Sequence, residues 1–291
     1  MTAMQFGRYA ARFLPDTGPR TNLVLAISVS GQVSRTAEAL VLGRQAGGLA
    51  VALTGNPAGA LAQEAEVVVE TAVPPLPDEL QGLIVPGTRS YVASQLALYL
   101  TAVYLGERRG HLTSQAAQRA RRTLATMADA MEETIARSDP VAQELAADWL
   151  DGREFVFCGA GPNVGTALFS AAKLIEAAGD TAVAQDTEEW AHLQYFGKQA
   201  DTPTFVISAG GWDASRAREV VTAAAHIGRR VAVIGPDSMG ITAVPHLPLA
   251  DCPEECFPPL LACLPGTLFA AYRAQFLGEP YFRAFGGGRS A

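Results

Sequence analysis

Apolar residues in this chain come in two patterns: short unbroken runs, and longer stretches in which they recur every three or four positions. Leu23–Ser28, Leu49–Leu53, Thr204–Ser208 and Arg230–Ile234 are of the first kind, Ser34–Ala46 and Ala214–Ile227 of the second. Continuous apolar strands alternating with amphipathic helices predict parallel sheets covered on both faces. The expected fold class is α/β, with two doubly wound parallel-sheet units. A further strand at Glu154–Cys158, a turn at Gly159-Ala160-Gly161-Pro162-Asn163 and a helix at Thr166–Ala178 open the second unit. Residues 111–152 are Ala-rich and charged, with Leu124, Met127, Met131 and Ile135 at helical spacing, and predict a helical connector.

The two units align with each other. An offset of 181 positions lays Leu25–Ile27 on Val206–Ser208, Ser34-Arg35 on Ser215-Arg216, Gly47 on Gly228 and Ala50–Leu53 on Val231–Ile234 without a gap. Leu105-Gly106-Glu107 and Leu277-Gly278-Glu279 each close an apolar helix. The expected domains are a first unit at 1–110, the connector at 111–152, a second unit at 153–279 and a tail at 280–291. The strand, glycine-rich turn and helix that open the second unit have no first-unit counterpart, which by the offset falls before Met1. Three explanations fit: a start placed too far downstream, a truncated gene, or a copy that has dispensed with the unit.

Composition narrows the function. Of 291 residues, 49% are hydrophobic and 18% charged, so the chain buries a large core and is no disordered polymer. A net charge of -7 and a pI near 5.2 leave no basic stripe for nucleic acid. Val92–Leu105, taken as the strongest membrane-span candidate, is too short and carries Ser94, Gln95 and Thr101; with no secretory signal at Met1–Phe6, a cytoplasmic protein is expected. Cys158, Cys252, Cys256 and Cys263 are too few for a disulfide framework. Cys252, Cys256 and Cys263 with His246 match no zinc spacing and are interrupted by Pro253, Pro258 and Pro259, so ordinary thiols are expected and no metal.

In a parallel α/β sheet, ligands sit where strands hand over to helix N-termini. The loop Ile27–Thr36 is such a place: Ser28, Ser30, Ser34 and Thr36 offer hydroxyls, Gly31 admits close backbone approach, and the following helix presents free N–H groups. This is chemistry suited to a phosphate monoester; Ser34 as a plain N-cap among small turn residues is the structural alternative. The second unit's loop, Ala209-Gly210-Gly211-Trp212-Asp213, brings an indole and a carboxylate instead, so only the first looks phosphate-competent. Gly159-Ala160-Gly161 falls short of a dinucleotide fingerprint, because Gly165 comes one position late and the next strand ends in Ser208 rather than an acid.

Ser28–Thr36, then Gly87-Thr-Arg-Ser-Tyr-Val-Ala-Ser94, then Lys173-Leu174-Ile175-Glu176, resemble the sugar isomerase (SIS) superfamily. The tandem arrangement, from about Met4 to Glu279, is similar to the isomerase half of a glucosamine-6-phosphate synthase. The resemblance implies two flavodoxin-like α/β/α SIS subdomains, the first without its opening strand, loop and helix, and a homodimer binding a phosphosugar. It implies no cofactor, and amidotransfer from glutamine is excluded by the missing glutaminase domain. By the same resemblance Ser28 and Ser30 hold phosphate, Val92 and Ser94 contact sugar, Glu176 moves a proton between C1 and C2, Lys173 stands beside it, and His192 reaches a neighbouring subunit's site to help open the sugar ring.

Enediol chemistry needs one carboxylate to collect and return a proton, and Glu176 on an otherwise apolar helix is either that base or one end of an i, i+3 staple with Lys173. Two departures favour a non-catalytic sensor or degenerate paralogue as the second reading. The family's first phosphate loop has no residues in this sequence, with Val29 and Val33 also standing where polar residues are expected and Ser34 as the available substitute. The family's tail lysine has no match either; Arg283 or Arg289 supplies charge there but forms no Schiff base.

Overall fold

The computed structural model describes residues 1–15, 18, 21–80, 86–252 and 254–282. In chain order the elements are α1 (Ala3–Arg8), β1 (Leu23–Ile27), α2 (Ser34–Gln45), β2 (Leu49–Thr54), α3 (Ala60–Gln63), β3 (Val67–Glu70), α4 (Arg89–Arg108), α5 (Ser114–Ala125), α6 (Met127–Asp148), β4 (Glu154–Gly159), α7 (Asn163–Ala178), β5 (Thr181–Asp186), α8 (Thr187–His192), β6 (Thr204–Ile207), α9 (Ala214–His226), β7 (Val231–Pro236), β8 (His246–Leu249) and α10 (Pro259–Leu277). The chain divides into two compact units, chiefly Met1–Gly82 with Gly87–Ala117, and Gln118–Phe285. Every described strand pairing is parallel, so the expected α/β class with parallel sheets is what the chain adopts.

The first unit's sheet has three strands in the order β1-β2-β3. Its core is small: Val24, Leu40, Ala50, Ala52 and Leu61 are buried together, with Phe6, Leu14 and Ala26 packed against them. Gly43 and Gly48 let α2 and the turn after it press on Val24; a Cβ at either would lie under 3 Å from that side chain. The second unit's sheet has five strands in the order β5-β4-β6-β7-β8. The chain enters at the second position, crosses to the edge and returns, which is the doubly wound order with a topological switch point between β4 and β6.

Strand pairing bears on the expected offset between the units. The Ser28 amide donates to Leu53 O and the Ser208 amide to Ile234 O, each at 3.0 Å, so Ile27-Ser28 and Ile207-Ser208 are the equivalent pairs, an offset of 180. The glycines after the helices, Gly47 and Gly228, have positive φ (86° and 93°) and keep the offset of 181. α9 has 13 residues against 12 in α2, and that residue absorbs the difference. The gapless alignment is thus one position off at the first strand of each unit. The paired helix ends also differ. Gly278, at φ 69°, caps α10, whereas α4 runs through Gly106 to Arg108, because the amides of His111 and Leu112 both turn back onto Gly106 O and Leu112 fills the space beside it.

In the connector region, Leu124 and Met127 are buried as their spacing implies, but Ile135 is exposed. The buried face of α6 runs instead through Thr134, Ser138, Ala142 and Leu145. The two hydroxyls explain why: the Ala250 amide donates to Thr134 Oγ1 at 3.0 Å and Ser138 Oγ donates to Pro248 O at 2.9 Å, so α6 satisfies the outward polar groups of β8.

Among the described residues, helix α10, not Val92–Leu105, is the segment long and apolar enough to cross a membrane by composition, with a mean hydropathy of 1.2. Most of it is buried in the second unit's core, against α6 and α7. It carries Arg273, 1% exposed, whose guanidinium donates to Asp180 (2.7 and 3.3 Å), Trp149 O (2.7 Å) and Gly152 O (2.7 Å) and lies over the Phe155 ring. One side chain thereby ties α10 to the end of the connector and to the α7–β5 turn. Burial pushes the thiols of Cys158 and Cys263 up, the latter to about 12, which keeps both protonated and unreactive.

Replacing Arg273 with Met leaves the Asp180 carboxylate and two carbonyls without their partner. The expected loss is about 3–5 kcal/mol in urea denaturation; a loss below about 1 kcal/mol would show that these groups recover partners.

Candidate functional site

In the first unit, β1 ends at Ile27 and the chain crosses to α2 through Ser28-Val29-Ser30-Gly31-Gln32-Val33. Ser28 is buried (7% exposed), and Ser30 and Ser34 are exposed. Gly31 has φ 65°, and a Cβ there would meet Thr54 Oγ1 at 3.0 Å and Asn56 O at 3.1 Å. Its amide donates to Ser28 O and its carbonyl accepts from the Leu61 amide of α3 at 2.9 Å, so Gly31 shapes the loop and its own N–H is already used. The Gln32 amide donates to Ser30 Oγ at 3.3 Å.

Two bracing residues escaped the sequence reading. Asn56 Nδ2 donates to Ser30 O at 3.0 Å, and the Thr54 hydroxyl donates to Val29 O at 3.4 Å and accepts from the Asn56 amide at 3.1 Å. Asn56-Pro57, a turn dipeptide following an apolar strand, was the available signal.

Helix α2 begins with Val33 at its N-cap, no capping side chain and no acid in its first turn. The first-turn Arg35 is held by Glu38 at 2.6 Å, and Arg8 reaches the other oxygen of the same carboxylate, also at 2.6 Å. The Arg35 hydrogen bond, with Arg8 adding its charge, holds the Glu38 carboxyl below its usual range. The helix therefore offers its N-terminal amides and positive end without an internal anion on them.

The second unit treats the same position differently. Ser208 Oγ donates to Asp213 Oδ1 at 2.9 Å, the Ala209 amide approaches Asp213 Oδ2 at 3.4 Å, and the Trp212 amide donates to Glu255 Oε1 at 2.7 Å. Burial pushes the Asp213 carboxyl up, against the pull of the Ser208 hydroxyl. The Glu255 carboxylate lies so close to Gly211 that a Cβ there would overlap it. Two carboxylates of the chain thus occupy this loop's donors, while the Trp212 indole points to solvent at 95% exposure.

Among the remaining candidates, Val92 and Ser94 sit in the first two turns of α4, Val92 half-buried and Ser94 buried, with the Ser94 hydroxyl donating back to Ser90 O at 2.9 Å. Lys173 is buried on α7, over the Phe169 ring, and its Nζ donates to Glu176 Oε2 at 2.5 Å. Glu176 is half-buried in the last turn of α7, about 20 Å along the helix from the Asn163 end at 1.5 Å per residue. It therefore lies at the opposite end of its unit from the Ser208–Asp213 loop. His192 ends α8 exposed, 3.3 Å from Glu188 Oε1, which with Arg216 (2.6 Å) forms a surface chain of charges. Arg283 and Arg289 lie outside the described residues.

Residues 17–104, which hold this open loop, match the SIS domain family. The chain is 27% identical over 267 residues to the glutamine-fructose-6-phosphate aminotransferase (isomerizing) of Mycobacterium leprae, a match covering 89% of this chain and 41% of that one. It spans less than half the length of such curated relatives. Two solved structures share its fold. The C-terminal domain of glucosamine-fructose-6-phosphate aminotransferase from Francisella tularensis has a TM-score of 0.77 at 17% identity, covering 89% of this chain and 73% of that chain. A glucosamine-6-phosphate deaminase from Thermotoga maritima has a TM-score of 0.69 at 18% identity, covering 96% and 76%. Residues 17–104 thus carry an SIS-domain match, and the chain as a whole resembles the isomerase half of the synthase.

Gly31→Ala forces a side chain into a left-handed position with two neighbours at about 3 Å. It is expected to cost about 1–2 kcal/mol in thermal or urea unfolding. Gly240→Ala, also at positive φ (63°) but with open space around it, separates backbone strain from loop crowding by the difference between the two losses.

Proposed function

We propose that this protein binds a hexose or hexosamine 6-phosphate and acts on it as an aldose-ketose isomerase or amino-sugar-phosphate deaminase, without glutaminase chemistry. The observation that carries the reading is the contrast between the two crossover loops: the Ser28–Ser34 loop leads into a helix without an internal anion, and the Ser208–Asp213 loop holds two. The relatives' names supply the substrate class, fructose 6-phosphate and glucosamine 6-phosphate.

In this reading the chain is two tandem flavodoxin-like SIS subdomains, at 1–110 and 153–279, joined by the helices of 111–152. Ser28, Ser30 and Ser34, with the first amides of α2, hold the phosphate; Gly31 keeps the loop in shape; Val92 and Ser94 border the sugar. Glu176 takes the proton from one carbon and returns it to its neighbour through an enediol or enediolamine, so no redox partner is needed. Lys173 fixes the position of the Glu176 carboxylate. His192, exposed at a helix end, assists ring opening in a partner's site. A second reading, phosphosugar binding without turnover, is favoured by the Lys173–Glu176 pair itself, since an acid already engaged at 2.5 Å serves equally as a helix staple.

Titration calorimetry with fructose 6-phosphate or glucosamine 6-phosphate, run beside a coupled assay for product, separates the readings. Ser28→Ala should weaken binding about 10- to 100-fold, the loss of a hydrogen bond to a charged group. Glu176→Gln should abolish turnover and leave binding nearly unchanged. Binding without product in the native chain selects the sensor, and no binding at all rejects both.

A homodimer is part of the proposal, since His192 is useful only in trans and Leu193 and Phe196 beside it are exposed. Light scattering at micromolar concentration should return twice the chain mass of 30.5 kDa; a monomer would contradict the assignment of His192.

A further inference from the structure

We infer that Thr71 and Gln95 are specificity-determining residues of the first unit: together they bind one hydroxyl of the ligand's sugar body, beyond the phosphate held at the start of α2. The inference rests on the phosphosugar reading and adds to it two residues outside the Ser28–Ser34 loop.

Two orphaned atoms point there. Among the described residues of the first unit, Thr71 Oγ1 and Gln95 Oε1 are the buried side-chain polar atoms without a hydrogen-bond partner. Leaving such groups buried and unpaired is costly, so each calls for a partner from outside the chain. Thr71 is only 7% exposed. The hydroxyls of Thr54 and Ser94, also buried, are spent within the chain on Val29 O and Ser90 O.

Strand register places Thr71 at the ligand end of the sheet. Ile27 stands opposite Leu53, and Leu53 opposite Val69, so two residues further on Val29, Gly55 and Thr71 form one row across the carboxyl ends of the three strands. The Gly55 amide donates to Val29 O at 3.1 Å and the Thr71 amide to Thr54 O at 2.9 Å, which holds the row in place. Gly55 carries no side chain, so none in the row stands between the loop and Thr71. Two strand spacings are about 10 Å, a distance that an open-chain hexose phosphate spans. A ligand whose phosphate sits at the loop thus extends its sugar toward the end of β3.

Gln95 comes to the same segment on α4. Arg89, the first residue of that helix, donates to Pro74 O at 2.6 Å, three residues past Thr71. This bond ties the start of α4 to the chain leaving β3, and Gln95 lies in the second turn. Gln95 Nε2 donates to the Tyr91 hydroxyl at 3.1 Å, which leaves the amide oxygen as the free atom.

The chemistry of the pair selects the ligand group. Thr71 has a proton to give, and Gln95 Oε1 has lone pairs to offer. One group that accepts from the first and donates to the second is a hydroxyl. An ionised carboxylate cannot donate to Gln95, and an ammonium cannot accept from Thr71. The polyol body of a hexose phosphate carries hydroxyls along its length; inorganic phosphate, lacking that body, reaches neither residue.

Titration calorimetry of the full chain with fructose 6-phosphate and with inorganic phosphate tests the assignment. Thr71→Val keeps the side-chain shape and removes the hydroxyl. It should weaken fructose 6-phosphate binding about 5- to 30-fold, the loss of one hydrogen bond at a buried group, and leave inorganic phosphate unchanged. Thr71→Ser should keep the native sugar affinity. Gln95→Leu should show the same split between the two ligands, and the double variant should lose less than the product of the two factors, because both residues address one hydroxyl. Without ligand, Thr71→Val should unfold at a midpoint no lower than that of the native chain, since it removes an unpaired group. Unchanged fructose 6-phosphate affinity in Thr71→Val overturns the inference. So does an equal loss for both ligands, the mark of a packing role, and so do fully multiplicative losses in the double variant. If the native chain binds neither ligand, the phosphosugar reading itself falls and takes this inference with it, an outcome distinct from the other three.

Discussion

Every strand-to-helix crossover in a parallel sheet leaves a cluster of helix N–H groups without partners at the carboxyl end of the strands, and something must answer them. This constraint orders the molecule. At the β6–α9 crossover of the second unit the chain answers with its own acids: Asp213 closes back on Ser208 and Ala209, and Glu255 reaches the Trp212 amide. In the first unit the corresponding helix begins at an uncapped Val33, and the loop's internal bonds, through Gly31, Asn56 and Thr54, are spent on holding its shape. Two similar crossovers thus differ electrostatically by a few side chains: the loop before α9 is met by carboxylates of the chain, and the first amides of α2 have no internal anion on them.

The same division of labour appears in stability. The second unit holds an aromatic core in which Phe157 stacks on Phe205 while Phe269 and Trp149 pack edge-on, and its helix α10 is tied down by the buried Arg273 network. That network is costly to desolvate and is compensated by four hydrogen bonds, so it fixes where α10 lies more than it adds net stability. The first unit has three strands and a small aliphatic core, and it carries the loop whose helix has no internal anion on its first amides.

Much of this was readable in the sequence because it rests on patterns of local origin. Apolar runs alternating with amphipathic stretches gave the parallel α/β class, and Gly47 and Gly228, which the offset of 181 pairs, both turn the chain at positive φ after their helices. What failed did so where tertiary contacts override local signals. β8 contains His246 and Pro248 and becomes a strand only because β7 and the hydroxyls of α6 take up its polar groups. The buried face of α6 is chosen by Thr134 and Ser138, which periodicity counts as polar, and Ile135 is left outside. Gly106 looks like a helix end, but Leu112 packs back over it. The repeat's offset slipped by one at the first strands because the extra residue lies in the longer helix α9, where small residues leave no mark in the alignment.

The candidate residues were legible in kind and less so in circumstance. Ser28 and Glu176 are residues whose sequence neighbourhood states a chemistry, yet each proves partly committed: Ser28 to the buried rim of its loop, Glu176 to an ammonium group on the same helix. Commitment and function are compatible when the committed atom is not the reacting one. The Lys173 ion pair uses Oε2 alone, so the proposed proton transfer falls to Oε1 while the pair sets the direction it faces. A carboxylate that must return a proton to the carbon next to the one it came from gains from being held still, since both transfers occur within the reach of a single rotamer.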